Sequence, residues 1–524
     1  MIVPKIGLDG SFDPRREAAP ANIDAPLGSI SPRPTRSESA ARYEEDRGQS
    51  VRQRSASPPA PLFGAPAQPF ARTATVTDAT GFSVRYIDGY RTGQRLREVG
   101  RDVQKGGDAN PGLDITAVVA SKEGMFAAYG DRRGHIYLLR RSEGDQNFSP
   151  LAARIAYCAV IDPLTSQEVA PRVSGLTFLD TGSPTPFLLS VNEKVPKLWK
   201  VVEARQSPPP FRAVDLLGSR RVGPLTVPSE PVVVVKEAAR YAMDHEYGLK
   251  SICAFPFTTS FATVDDLVIR LWDTEHPSTS MEVFTLKPGA GQEISESFTC
   301  ASVCPSQPSL LFTATVSGTV RIFDTRHSLT WHGSVPQTLR NPPRDEDGPF
   351  SGVTSGITST AVSPCGRYVA GRDFMGVVVW DLRMTSDKSP GRSSAPGLPV
   401  QRWSLHPHLA EHFENLYNSE LLFERFALQY AADGSIVTGA LDGKLFVLHP
   451  SDTKVKEVAV PAEGAPREEW LSVRDSSANS ELDGSRRFTH LAECDAMDGS
   501  QNLLAASRST LHTLKIDFGS EGRK

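Results

Sequence analysis

Apolar positions recur with a period of two in short runs along the chain. The clearest run is FATVDDLVIRLWD, residues 261–273. Phe261–Val264 reads as one strand and Leu267–Trp272 as the next. Asp265 and Asp266 form the corner, where carboxylates accept hydrogen bonds from nearby backbone N–H groups. In the second strand Val268, Arg270 and Trp272 fall on one face, and Leu267, Ile269 and Leu271 on the other. A strand ending in Trp-Asp after an acidic turn marks one blade of a β-propeller. Weaker copies occupy 125–141, 187–200, 310–326, 366–383, 434–450 and 502–517. Each has an apolar strand, a turn of Gly, Asp, Asn or Ser, and a second strand ending in Trp, Phe or Leu. The prediction is an all-β, seven-bladed WD-repeat propeller over residues 80–520, because isolated blades cannot bury their own faces.

The copies lie roughly 50–75 residues apart, against about 40–45 in a compact WD repeat. The surplus predicts loop insertions. Residues 201–246 suggest a hairpin arm leaving the second blade. Pro196, inside a return strand, predicts a weakened strand or a bulge there. Residues 327–353 and 451–489 read as polar stretches, the latter partly disordered. In 405–426, Leu409, Phe413, Leu416 and Tyr417 have helical spacing. Residues 1–79 are rich in Pro, Ala, Ser and Arg and poor in aromatics, so they are expected to be a disordered tail. Ser31-Pro32 and Ser57-Pro58 beside arginines fit either proline-directed phosphorylation or a merely solvated tail.

Composition narrows the function classes. The 524-residue chain has a net charge of −4, which gives no argument for nucleic acid or an anionic membrane. The first 20 residues carry no apolar core, and no run of 18 apolar residues exists, so neither a secretory signal nor a membrane span is expected. Six scattered cysteines predict reduced thiols in a cytosolic or nuclear protein. No phosphate loop GxxxxGK and no nucleophile elbow GxSxG occurs. The triplet His408, Glu411, His412 fits HxxEH, the inverted zinc-peptidase pattern, but a third ligand on another helix is missing. The expectation is exposed helix residues, no metal and no cofactor.

Several stretches carry a family resemblance. They are LLSVNEKVPKLWK (188–200), VDDLVIRLW (264–272), SGTVRIFDTR (317–326), FSGVTSGITSTAVSPCGRYVAGRDFMGVVVWDL (350–382) and LYNSELLFERF (416–426). Together the chain resembles the 55 kDa B-type regulatory subunit of protein phosphatase 2A, most strongly over 187–450. The resemblance implies a non-catalytic subunit that selects substrates and targets the catalytic subunit. Its partners would be the helical-repeat scaffold subunit, the catalytic subunit of the phosphatase, and phosphoprotein substrates. The alternative is a WD-repeat scaffold or adaptor unrelated to phosphatase. The family's acidic-aromatic segment is only faintly visible in VIDPLTSQEV (160–169), and the arm matches in position rather than in sequence.

The resemblance also implies site residues. Asp266 matches a carboxylate facing the substrate groove, while Asp265 is expected to hold the turn; for Asp266 a turn role stays open. Ile294 matches an apolar groove position. Phe350 and Phe423 match aromatic ones, for which core packing stays open. Arg132 and Arg425 stand where the family has lysine. Gly291 and Ser297 replace larger apolar residues, which implies a thinner apolar half of the groove.

Overall fold

The structure is a computed structural model that describes residues 75–77, 83–91, 94–95, 114–141, 148, 151–183, 185–204, 232–288, 291–326, 337–384, 397–441, 443–450, 454–460, 472–475, 487–495, 501–508 and 510–517. Its strands form seven antiparallel sheets. The first blade runs through Ile115–Ala120, Phe126–Asp131, His135–Arg140 and Ala153–Ala156. The second has Gly175–Leu179, Phe187–Val191, Pro196–Ala204 and Val232–Arg240. The third has Ser251–Ala254, Ser260–Val264, Val268–Asp273 and Ser280–Thr285. The fourth, Phe298–Val303 to Gln337–Arg340, and the fifth, Ser359–Val362 to Gln401–Ser404, repeat the meander. The sixth begins at Leu428–Tyr430 and has five strands. The predicted copies are the two central strands of each blade.

The seventh blade is built from both ends of the chain. Phe488–Asp495, Gln501–Ser507 and Thr510–Asp517 supply its inner strands. Ser83–Arg91 pairs antiparallel with Thr510–Asp517, from Ser83 opposite Asp517 to Arg91 opposite Thr510. The first strand of each blade contacts the first strand of the next, and Phe488–Asp495 contacts Ile115–Ala120, so the ring closes.

Period two explains how the blades cohere. Phe126 and Ala128 pack toward the second blade, whereas Ala127 and Tyr129 pack toward the seventh. Each of the seven junctions has such a shared core. Strands covered on both faces therefore read as continuously apolar, and all six residues of Gly376–Asp381 are buried. Backbones approach closely at some junctions: a Cβ on Gly439 would lie 1.8 Å from the Phe488 carbonyl oxygen, so only glycine fits.

Three expectations need adjusting. Residues 451–489 contribute two strands, Val455–Ala459 and Ser472–Asp475, to the sixth blade rather than a plain polar stretch. Pro196 begins its strand instead of interrupting it, and the register shift lies beyond it, between Leu198 and Trp199. The helical insertion is part 3-10, over Pro407–His412, and part α, over Phe413–Asn418. Leu409, Phe413 and Leu416 are buried, whereas Tyr417 is exposed. The arm's flanking strands, Pro196–Ala204 and Val232–Arg240, pair along their length, and 205–231 lie outside the described residues. Within 1–79 only Thr75–Thr77 is described, a strand paired with Ser83–Arg85; the rest of that stretch, with Ser31 and Ser57, lies outside.

Candidate functional site

In a four-stranded antiparallel meander, the turn between the second and third strands and the loop entering the next blade emerge on the same face. Asp265, Asp266 and Arg132 lie on second-to-third turns. Ile294, Phe350, Phe423 and Arg425 lie on entry loops. The topology thus gathers these seven residues onto one face of the ring. A cavity of about 620 Å³, lined in part by Lys122, Asp180 and Glu203, opens on the opposite face between the first two blades.

Successive turn residues have divided roles. Asp265 is fully buried, and its Oδ1 accepts from the N–H groups of Leu267 at 2.7 Å and Val268 at 2.5 Å. Its Oδ2 lies 2.9 Å from His245 Nδ1, and His245 Nε2 lies 2.7 Å from Thr263 Oγ1, which accepts from Trp272 Nε1–H at 2.7 Å. Burial pushes the Asp265 carboxyl up, but the His245 contact and the two N–H groups outweigh it and hold the group below the usual carboxylate range. Asp131, Asn192 and Asp373 accept backbone N–H groups of their own turns in the same way. In three of these four turns the following residue faces outward: Arg132 and Glu193 are exposed, and Asp266 is one-third exposed, 3.3 Å from Lys250 Nζ; in the fourth, Phe374 is buried. The Asp266 carbonyl accepts from Phe298 N–H at 2.8 Å and fixes the turn to the fourth blade.

Ile294 stands 46% exposed on the entry loop of the fourth blade. The neighbouring Glu296 is tied down by Arg321, Ser317 and Thr315. Over the fifth and sixth blades the insertion buries Leu409, Phe413, Leu416 and Leu422 against Phe374, Met375 and Leu441 of the turns below. Phe350 and Phe423 are half-buried at the edge of this cap, their ring centroids 6.0 and 5.6 Å from that of Tyr417. The buried Arg372 donates to three carbonyls of its own turn and sits 5.2 Å from the Phe426 ring centroid. That contact anchors the loop bearing Phe423 and Arg425. Arg425 Nη1 in turn donates to the Thr299 carbonyl at 3.0 Å, linking the sixth blade's entry loop to the fourth blade.

His408 and His412 sit in the 3-10 stretch, where residues i and i+3 eclipse, so i and i+4 do not share a face. Among the described residues no group of three His, Cys, Asp or Glu side chains is placed to hold a metal ion.

Two residues were missed in the sequence. His245 precedes Asp265 by 20 residues, and a His ahead of a Trp-Asp strand end is part of the WD-repeat signature, so that signal was present. Arg172, in APRVSG, belongs to no pattern, and only the fold brings its entry loop to this face, around the mouth of the channel that the closed ring encloses.

The comparisons with known proteins bear on what this face does. The chain is 26% identical over 353 residues to a Candida tropicalis protein named as the B regulatory subunit of protein phosphatase PP2A, covering 64% of this chain and 67% of the relative. It is 27% identical over 344 residues to a Drosophila melanogaster "Protein phosphatase PP2A 55 kDa regulatory subunit", covering 62% and 66%. The chain is similar to the 55 kDa regulatory subunits of protein phosphatase 2A. The match spans about two thirds of the length of these regulatory subunits. No family model matches the chain. Among the described residues, no helix is long and apolar enough to cross a membrane.

Proposed function

We propose that this chain is a non-catalytic regulatory subunit of a heterotrimeric serine/threonine phosphatase of the protein phosphatase 2A type. The similarity to two named regulatory subunits carries this reading. The helical-repeat scaffold would be engaged through the arm on Pro196–Ala204 and Val232–Arg240, and the catalytic subunit would complete the trimer in the cytosol or nucleus. Substrate would dock on the face bearing Asp266, Ile294, Phe350, Phe423, Arg425 and Arg132. Holding a phosphoprotein there makes its encounter with the active site intramolecular, so rate follows effective concentration rather than bulk concentration.

Asp266 is suited to pairing with a basic residue of the docked segment, since its ion pair with Lys250, at 3.3 Å, is open to solvent on both sides and readily exchanged. Affinity purification of the full chain followed by mass spectrometry tests the reading. Stoichiometric scaffold and catalytic subunits are expected; recovery of other partners with no phosphatase would leave an unrelated WD-repeat scaffold.

A further inference from the structure

The channel mouth on the docking face is electrostatically lopsided. Arg132 comes from the second-to-third turn of the first blade and Arg172 from the entry loop of the second. Arg425 and Arg487 come from the entry loops of the sixth and seventh blades, and Arg508 from a turn of the seventh. Among the described residues, Asp114 and Glu424 form ion pairs with this set. Asp114 lies 3.6 Å from Arg132 and 3.8 Å from Arg508, and Glu424 lies 2.7 Å from Arg487. Arg425 spends one nitrogen on the Thr299 carbonyl. Among the described residues Arg172 has neither an ion pair nor a hydrogen-bond partner for its side chain, although solvent reaches it.

Its surroundings add to the imbalance. Val173 N–H donates to the Asp131 carbonyl at 3.1 Å, which sets the Arg172 loop against the turn that bears Arg132. Desolvation by the surrounding walls lowers the Arg172 pKa, and the charges of Arg132 and Arg425 lower it further, while Glu424 and Asp114 raise it. His490, whose pKa burial pushes down to about 4 with Arg172 contributing, stays neutral near pH 7. Five guanidinium groups drawn together from different blades against these two carboxylates still repel one another, and an anion between them relieves that repulsion through charge-assisted hydrogen bonds.

We propose that Arg172, with Arg132 and Arg425, forms an anion site for a phosphorylated serine or threonine in a docked protein segment. This rests on the reading of the face as a substrate-docking face. Phosphate suits the set because its oxygens can accept from several guanidinium forks at once. Asp266, on the third blade, would take a basic residue of the same segment, so the mouth reads charge of both signs along one chain.

The test uses the full chain and two fluorescent peptide libraries of identical Ala/Gly/Ser/Lys composition, one with a fixed central phosphoserine and one with serine. Anisotropy should show the phosphoserine library binding about tenfold or more tightly, in line with one or two charge-assisted hydrogen bonds. Arg172→Gln should remove most of that preference while binding of the serine library stays unchanged, and Arg172→Lys should restore part of it. Equal affinity for both libraries, or an undiminished preference in Arg172→Gln, overturns the site. Displacement by inorganic phosphate as effective as by phosphopeptide would mean that the free ion is the ligand and would overturn the docked-segment assignment. Pull-down of phosphatase subunits by the same proteins separates the two readings: an intact trimer without phosphoserine preference sinks only this inference, and phosphoserine preference without a trimer sinks only the regulatory-subunit reading.

Discussion

Asp265 and Asp266 are adjacent carboxylates on one turn, and the structure gives them opposite consequences on removal. Asp265→Asn keeps Oδ1 as an acceptor for Leu267 and Val268 but replaces Oδ2 with an NH₂ donor facing His245 Nδ1. With the His245 proton on Nδ1, donors run one way: Trp272 to Thr263, Thr263 to His245, His245 to Asp265. Two donors would then meet in a fully buried place. Losing one charge-assisted bond costs about 1.5–3 kcal/mol and stranding a buried donor about 1–3 kcal/mol, so a total of roughly 3–5 kcal/mol is expected. For a propeller of this size, with roughly 2 cal/mol/K of unfolding entropy per residue, that lowers the Tm by about 3–5 °C. Asp266→Asn removes only a partly exposed ion pair with Lys250, worth about 0–1 kcal/mol, and should move the Tm by a degree or less. It should instead weaken capture of a basic phosphosubstrate by about tenfold or more. Thermal melts and pull-downs on both variants check this. A sharp Tm loss in Asp266→Asn with normal substrate capture would mean that the roles are reversed, and equal small losses would mean that the buried relay contributes little.

Four further outcomes follow from the same structure. Because the Asp265 carboxyl is held below its unfolded value, its stabilisation is present above about pH 4 and is lost as pH falls through the lower folded value; the Tm gap between wild type and Asp265→Asn should therefore shrink in melts taken below pH 4. Gly439→Ala drives a Cβ into the Phe488 carbonyl and should cost about 1–3 kcal/mol or more, read as a lowered denaturation midpoint; an unchanged midpoint would show that the sixth and seventh blades separate freely. Deleting 205–225, between the paired arm strands, should weaken scaffold binding in surface plasmon resonance while circular dichroism stays that of the intact propeller. Removing Ser83–Arg91 strips the outer strand from Thr510–Asp517 and should lower the melting temperature and promote aggregation, seen by light scattering, because a sheet edge is laid bare.

Much of the architecture was legible because two signals coincide in four of the seven copies: an apolar strand pair and an Asp or Asn at the turn that accepts backbone N–H groups. Asp131, Asn192, Asp265 and Asp373 all sit at that turn position. First and fourth strands were harder to read. Gln337–Arg340 and Ala153–Ala156 are short and half-exposed, so their alternation is weak. The partner of Ser83–Arg91 was illegible for a different reason, since the strand it pairs with lies at the far end of the chain and no local pattern encodes it. Of the candidate site, the turn pair Asp265 and Asp266 could be read locally. Arg172 could not, because its place at the mouth comes from ring closure rather than from its neighbours in sequence.

The shared seventh blade also sets an order of events during synthesis. Ser83–Arg91 leaves the ribosome long before its inner neighbour, Thr510–Asp517, is made. Until then the nascent protein is an open arc with two raw sides: the first blade lacks its cover from Leu504, Ala506 and Leu511, and the sixth lacks Leu503, Ala505 and Leu514. Quality control can therefore read completeness from a single joint. A chain stopped short of Thr510 carries six blades of correct local structure and still presents unpaired edges to chaperones and proteases.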